Sequence, residues 1–386
     1  VNPPLRVLHI LNELRPSGAE IMLRIAAPLF RENGIDCELL ATGDSIGPYA
    51  PLLEQAGYPI HHIPFSKSPA FFMRVARFAK ESGFDVIHFH AEKAFIAYVL
   101  AARLVGLKRL VRTVHNNFSF TGMLRRRRGL ERRLAERLGV RYIAIAPGVE
   151  QTERQRYGTV PQLIPNWFDS DRFHPVTAEE RAAARNTLGI AADQRVIISI
   201  GNCSPVKNHG ALIEALARCT DLPWHYLHVG LEEDGEPERA LAIRLGIGER
   251  IRFVGSVGDV RPLLQAADIY VMPSTFEGLG IATLEALATG LPALLTEVPG
   301  LVDFRHYLDD VHYCQPNPES LAAALRQLLQ QNDLETGAGE RSTAIHNAFG
   351  ARRGVLAYSN LYITLMASIC PTQSRPNLQP ANGSEQ

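Results

Sequence analysis

The stretch IYVMPSTFEGLGIATLEALATG, residues 269–290, decides how this chain is read. An apolar run, IYVM, has the look of a buried strand. A loop with Glu277 follows, glycines stand at 278 and 280, and the Ala/Leu-rich run Ile281 to Ala288 has helical character. A helix that starts after such a loop presents unsatisfied N–H donors and the positive end of its dipole, and glycines let a ligand approach closely. That combination holds phosphate. Glu277 and Glu285 have seven residues between them, which on a continuous helix sets the carboxylates about 12 Å apart. A hydrolase pair needs roughly 5 to 9.5 Å. The wider spacing fits a longer ligand with hydroxyls at both ends and phosphates between, such as a nucleotide sugar. Two solvated glutamates at a helix end are the bland alternative, and their place behind a strand and a glycine loop counts against it.

Working outward, short Val/Ile/Leu runs alternate with helical patterns, as in buried parallel sheets with crossover helices. The first half offers RVLHIL, CELLAT, PIHHIP, VIHFH, RLVRTVH and RYIAIA; the second offers VIISIG, WHYLHVG, IRFVG, IYVMPS and PALLTE. Between them PNWFDSDRFHP is turn-rich and precedes a polar helix. The expectation is an α/β protein with two doubly wound Rossmann-like domains, their ligands bound across the cleft beyond the carboxyl ends of the strands. The expected division is 1–165, a connecting region 166–194, a second domain 195–352, a C-terminal helix 353–370 packing back on the first domain, and a disordered polar tail 371–386.

Composition agrees with a globular chain. Of 386 residues, 46% are hydrophobic and 21% charged, and forty basic residues balance forty acidic ones. No global charge draws nucleic acid. The five cysteines, at 37, 203, 219, 314 and 370, are scattered and odd in number, which fits packing roles in a reducing compartment. No apolar run approaches the roughly 20 residues of a membrane span, and VNPPLRVLHIL does not read as a signal peptide. The cytoplasm is the expected compartment.

Several other residues bear on chemistry. Lys207, in ISIGNCSPVKNHG, follows a strand and precedes a helix; there it can neutralise a diphosphate as a point charge, or it is a solvated loop lysine. His115 ends the strand RLVRTVH, where it either hydrogen-bonds a ligand or caps the next loop. His88 and His90 in VIHFH share one strand face. A metal would need a third ligand that the sequence does not offer, so none is expected; His61 and His62 read as strand-edge residues. From Arg125 to Arg141 eight arginines face two glutamates, directly after FSFTGML. A solvated helix is the usual meaning. Basic residues beside Phe118, Phe120, Met123 and Leu124 also suit an anionic membrane surface, with Arg125, Arg126, Arg127 and Arg128 as its contact.

Taken together, these segments resemble the retaining GT-B glycosyltransferases of the large bacterial group that makes lipopolysaccharide, capsule and exopolysaccharide. The resemblance runs over about residues 5–370. It rests on PSGAE at 16–20, RTVHN at 112–116, LIPNWFDSDRF, the segment LGIGERIRFVGSVGDVRPLLQAADIYVMPSTFEGLG and the two glutamates. It implies that Glu277 meets the transferred sugar's hydroxyls, Glu285 the ribose, and the backbone of Gly278, Leu279, Gly280 and Ile281 the diphosphate. Lys207 and His115 join Glu277 as catalytic residues, Gly18 approaches the donor phosphates or the acceptor, and no cofactor or metal is needed. The sequence departs from the family at Asn202, where relatives place an arginine that clamps the diphosphate with the lysine, and at Trp167, where they have glycine. Arg15 is one candidate for the missing cation. The implied function is transfer of a sugar, from a UDP-sugar first of all, to a glycan or lipid-linked acceptor with retention, in the cytoplasm or on the inner face of its membrane. A nucleotide-sugar epimerase of the same fold and a non-catalytic partner subunit remain the alternatives.

Overall fold

The computed structural model describes residues 3–118 and 120–367. The expected tail 371–386, Cys370 and the last residues of the expected C-terminal helix lie outside the described residues. Two parallel sheets carry the fold. The first contains β1 (Leu5–Leu11), β2 (Ile35–Ala41), β3 (Ile60–His62), β4 (Val86–Phe89), β5 (Leu110–Val114), β6 (Val140–Ala144) and β7 (Gln162–Leu163), in the order β3-β2-β1-β4-β5-β6-β7. The second contains β8 (Arg195–Ile200), β9 (Trp224–Val229), β10 (Ile251–Gly255), β11 (Ile269–Met272), β12 (Ala293–Thr296) and β13 (His312–Cys314), in the order β10-β9-β8-β11-β12-β13. Each sheet reverses its winding once, between β1 and β4 and between β8 and β11. Those reversals open the crevices in which doubly wound proteins bind ligands.

The apolar runs fill the central strands, which are buried on both faces: β4, β5, β11 and β12 are buried throughout. The strands that pattern alone does not reveal are β7 and β13, two and three residues long at the sheet edges. Edge strands this short carry too few apolar residues to show a period. His61 and His62 fall on the edge strand β3. The four described cysteines are buried and unpaired, and none of the described helices is long and apolar enough to cross a membrane.

Between the sheets the chain is locally well specified. Thr177 and Glu180 form a reciprocal capping box, and Gly189 in the left-handed region ends the helix Ala178–Leu188, an arrangement that satisfies orphan backbone groups at both ends. Trp167 is buried and donates from its indole N–H to the Met22 carbonyl, 3.1 Å away. A Cβ on Gly354 would lie 2.3 Å from the indole, so the glycine lets the last helix, Ala351–Ala367, pass directly over the ring. That helix packs on the helix Gly18–Glu32 of the first half. Trp167 thus ties the connecting region, the first helix and the last helix together, and truncating a buried tryptophan typically costs about 3–5 kcal/mol.

Candidate functional site

The carboxyl-terminal half contributes charge. At the end of β8 the loop from Gly201 turns back so that the Lys207 stem runs over Gly201, an ideal Cβ there lying 3.4 Å from Lys207 Cε. The ammonium is ion-paired with the Glu277 carboxylate from the loop after β11. Ser274 also donates to Glu277, at 3.3 Å. The helix Ile281–Ala288 begins beyond Gly280, and a Cβ on Gly278 would stand 2.5 Å from the His115 carbonyl oxygen. Only glycine permits that approach. The carbonyl oxygen of the Asn202 side chain accepts from the Leu231 N–H at 2.9 Å, so the residue steadies the neighbouring loop and brings no cation.

The amino-terminal half contributes neutral, hydrogen-bonded imidazoles. Parallel pairing of β1 with β4 sets His9 beside His88. His90 Nε2 lies 2.9 Å from His9 Nδ1, and His90 Nδ1 lies 2.8 Å from His115 Nε2. His88 is held apart from this line by Tyr362 Oη at 2.6 Å and Thr113 Oγ1 at 2.7 Å. Burial holds His115 down at about 4 and His9 at about 3, and keeps His88 and His90 well below the usual imidazole range; all four are uncharged at neutral pH. The expectation that the HxH pair has no third imidazole nearby is corrected: nitrogens of His9, His88 and His90 lie within 4.8 Å of one another. His9 comes from a strand some eighty residues upstream, and only tertiary pairing reveals it. Hydrogen bonds to neighbours already occupy five of the six nitrogens.

The halves meet across these groups. Gly148 N–H donates to the Asp303 carboxylate at 2.9 Å, Asn117 Nδ2 to the Glu277 carbonyl at 3.4 Å, and a Cβ on Gly18 would sit 3.5 Å from Ile281 Cδ1. A cleft of about 960 Å³ remains, lined by Gly18, Asn202, Lys207, His115 and Glu277 through Ile281. Glu285 does not line it. Its carboxyl lies one turn behind Ala282, where burial pushes its pKa up to about 8 against the pull of Arg172 and Arg24. Arg15 lines the cleft but is paired with Glu13 at 2.7 Å. Sequence reading passed over Glu92, a cleft residue held by Arg112 and by Arg132 at 3.1 Å.

The arginine run is less of a surface than expected. On the helix Gly122–Arg137, Arg128 and Arg132 are one turn apart on the inner face. Arg132 is 1% exposed and bonds Glu153 at 3.1 Å, while Arg128 pairs with Glu131 at 3.0 Å. Arg127 is outward but paired with Glu131 at 2.7 Å. Among the described residues, Arg125 and Arg126 have no carboxylate partner and border an open groove with Arg133 and Arg156.

Known proteins share this architecture. Residues 16–172 match the family model described as Glycosyltransferase Family 4, and residues 180–344 that described as Glycosyl transferases group 1. The chain is 28% identical to the putative glycosyltransferase EpsF of Bacillus subtilis over 319 residues, covering 76% of this chain and 79% of that protein. It is 34% identical to the lipopolysaccharide core biosynthesis glycosyltransferase LpsE of Rhizobium meliloti over 209 residues, 54% of this chain and 58% of that protein. Among solved structures, Anabaena Alr3699/HepE in complex with UDP-glucose superposes with a TM-score of 0.75 at 22% identity, covering 95% of this chain and 100% of that one. Both halves are matched in the same order along the chain, and two facing parallel sheets carry them. The chain belongs to the group 1 glycosyltransferases and has the GT-B fold.

Proposed function

We propose that this glycosyltransferase moves a sugar from a nucleotide-sugar donor, a UDP-sugar first of all, to a glycan or lipid-linked acceptor with retention of anomeric configuration, in cell-surface polysaccharide synthesis. The observation that carries this reading is the facing of Lys207 and the helix start Gly278–Ile281 across one cleft, with Glu277 between them. A cation and convergent N–H groups are what a diphosphate needs. The complex of HepE with UDP-glucose and the lipopolysaccharide role of LpsE support the donor and the acceptor class.

In this reading residues 195–352 hold the donor and residues 1–165 the acceptor. The incoming diphosphate draws Lys207 from Glu277, which then accepts from the sugar's hydroxyls. Gly18 and Asn202 border the phosphates, His115 meets the sugar or acceptor, and Glu285, set one turn behind the cleft wall, is assigned to the ribose. Among the described residues the carboxylates that line the cleft are engaged, Glu13 by Arg15, Glu20 by Ser17, Glu92 by Arg112 and Glu277 by Lys207, and none stands free as a nucleophile for double displacement. Transfer is therefore front-face: the bond from anomeric carbon to diphosphate breaks, the acceptor oxygen bonds on the same face, and its proton passes to the departing diphosphate. Lys207 and the helix start stabilise that leaving group without a metal or cofactor. Arg125 and Arg126, with Arg133 beside them, are open to an anionic membrane surface, and in this reading the cytoplasmic face of a membrane is the working location.

A thermal-shift screen of nucleotide sugars identifies the donor, and proton NMR of the product's anomeric centre then tests the reading. Retention is expected; an inverted product would overturn the front-face mechanism. A sugar changed without any acceptor would point to an epimerase, and donor binding without turnover to a non-catalytic subunit.

A further inference from the structure

We infer that His9 and His90 are positioning residues that fix His115 as the Nδ1–H tautomer, so that the cleft meets a hydrogen-bond donor there and not a base. The imidazole line has a buried end at His9. His9 is 1% exposed, and among the described residues its Nε2 has no hydrogen-bond partner. It faces a narrow cavity lined by Met22, Leu23, Phe30 and the rings of Tyr358 and Tyr362, none of which takes a hydrogen bond from it among the described residues.

A neutral imidazole has one N–H and one lone pair. The two contacts, His9 Nδ1 to His90 Nε2 at 2.9 Å and His90 Nδ1 to His115 Nε2 at 2.8 Å, each require one donor. His90 can supply only one, so both bonds must run the same way. If they run inward, from His115 toward His9, the last proton stands on His9 Nε2 and a buried donor is stranded. If they run outward, His9 Nδ1–H donates to His90, His90 Nδ1–H donates to His115 Nε2, and only a lone pair faces the cavity. Orphaned buried N–H groups are rarer in folded proteins than under-satisfied acceptors. The outward direction prevails.

The consequence reaches the cleft. With Nε2 accepting from His90, His115 carries its proton on Nδ1, which has no protein partner among the described residues, and the ring lines the cleft. A base would need an available lone pair, and His115 has spent its own. It donates to a substrate oxygen, which agrees with a mechanism in which the leaving diphosphate takes the acceptor's proton. His88 stands outside the line because both its nitrogens are engaged by hydroxyls of Tyr362 and Thr113.

The inference rests on the glycosyl-transfer reading only where turnover is measured. Long-range proton–nitrogen NMR correlations on the isotope-labelled full chain at neutral pH report each ring's tautomer, with assignments from His115→Gln and His90→Gln. Nδ1–H forms of His9, His90 and His115 are expected; an Nε2–H signal at His9 would overturn the proposal. With UDP-glucose as the donor probe, His9→Leu should lower turnover about 10-fold, the effect of one lost hydrogen bond, and His115 should become a tautomer mixture. His9→Asn, whose amide N–H takes the Nδ1 position, should restore most of both. Equal losses in the two variants with His115 unchanged would reduce His9 to packing and sink the idea. If His9→Leu does not fold, the tautomers of the parent chain still decide. A parent that ignores UDP-glucose breaks the donor assignment and leaves the tautomer result standing.

Discussion

The two halves of this molecule handle charge in opposite ways. In the carboxyl-terminal half an ammonium and a carboxylate, Lys207 and Glu277, sit at the cleft with side chains 27% and 12% exposed, bound to each other and replaceable by a ligand. In the amino-terminal half Arg112, Arg132 and Glu153 are buried behind the cleft and hold Glu92, which reaches the cleft beside the neutral imidazole of His115. Lys207, which must change partner, is left near solvent, whereas Arg132 and Glu153 are buried and bound to each other.

The largest effect should come from opening that buried pair. Arg132 and Glu153 are each 1% exposed, and breaking a buried pair from one side costs about 3–5 kcal/mol. Glu153→Ala should therefore lower the denaturant midpoint sharply without a change in m-value; a variant of unchanged stability would break the contrast between the halves. At the cleft, Lys207→Ala should leave the fold intact and reduce turnover by about 100-fold or more, as loss of one preorganised charge-stabilising donor does. Activity that survives would take Lys207 out of the leaving-group site.

Above pH 8, where its carboxyl is ionised, Glu285→Ala should weaken binding of the nucleoside diphosphate by about 1.5–3 kcal/mol, the range for a hydrogen bond involving a charged group. Titration calorimetry checks it, and unchanged affinity would remove Glu285 from the site. The same residue gives a pH signature. Its carboxyl titrates at about 8 in the folded chain and near 4.5 when unfolded. Between those values the folded state holds the extra proton, so raising pH through the window destabilises the protein. Glu285→Gln lacks this penalty: its melting temperature should gain on the parent from acid toward pH 8, by roughly 2–4 °C per kcal/mol of penalty, and a gap that does not widen would refute the burial argument. Smallest is the surface effect. Arg125→Gln with Arg126→Gln should weaken sedimentation with anionic vesicles by about 1 kcal/mol per arginine, whereas Arg128→Gln should act on stability; equal vesicle effects at all three would contradict the inward orientation of Arg128.

Much of this was legible in the sequence because it is local. The strands with long apolar runs, the glycine loop before Ile281 and the lysine after β8 each lie within a dozen residues of the signal that marks them. What was hidden depends on pairing between distant segments. His9 in RVLHIL reads as one polar residue in a strand until β1 lies against β4 and sets it beside His88. Arg128 and Arg132 read as charge on a basic helix until Glu92 and Glu153 arrive from other elements. Their spacing of four was the available clue, because it marks one face of a helix. Trp167 looked like a bare departure at the linker; its meaning lies in Gly354, on the last helix.

That last helix has a consequence for the order in which the chain is made. Tyr358 and Tyr362, synthesised after both sheets, supply hydroxyls to Thr113 and His88 in the interior of the first one. On the ribosome the amino-terminal sheet emerges first yet waits for the final stretch before its core is sealed. A nascent chain stopped near residue 350 would hold His88 without Tyr362 and Trp167 without its lid, leaving the earliest segment to be made as the last to mature.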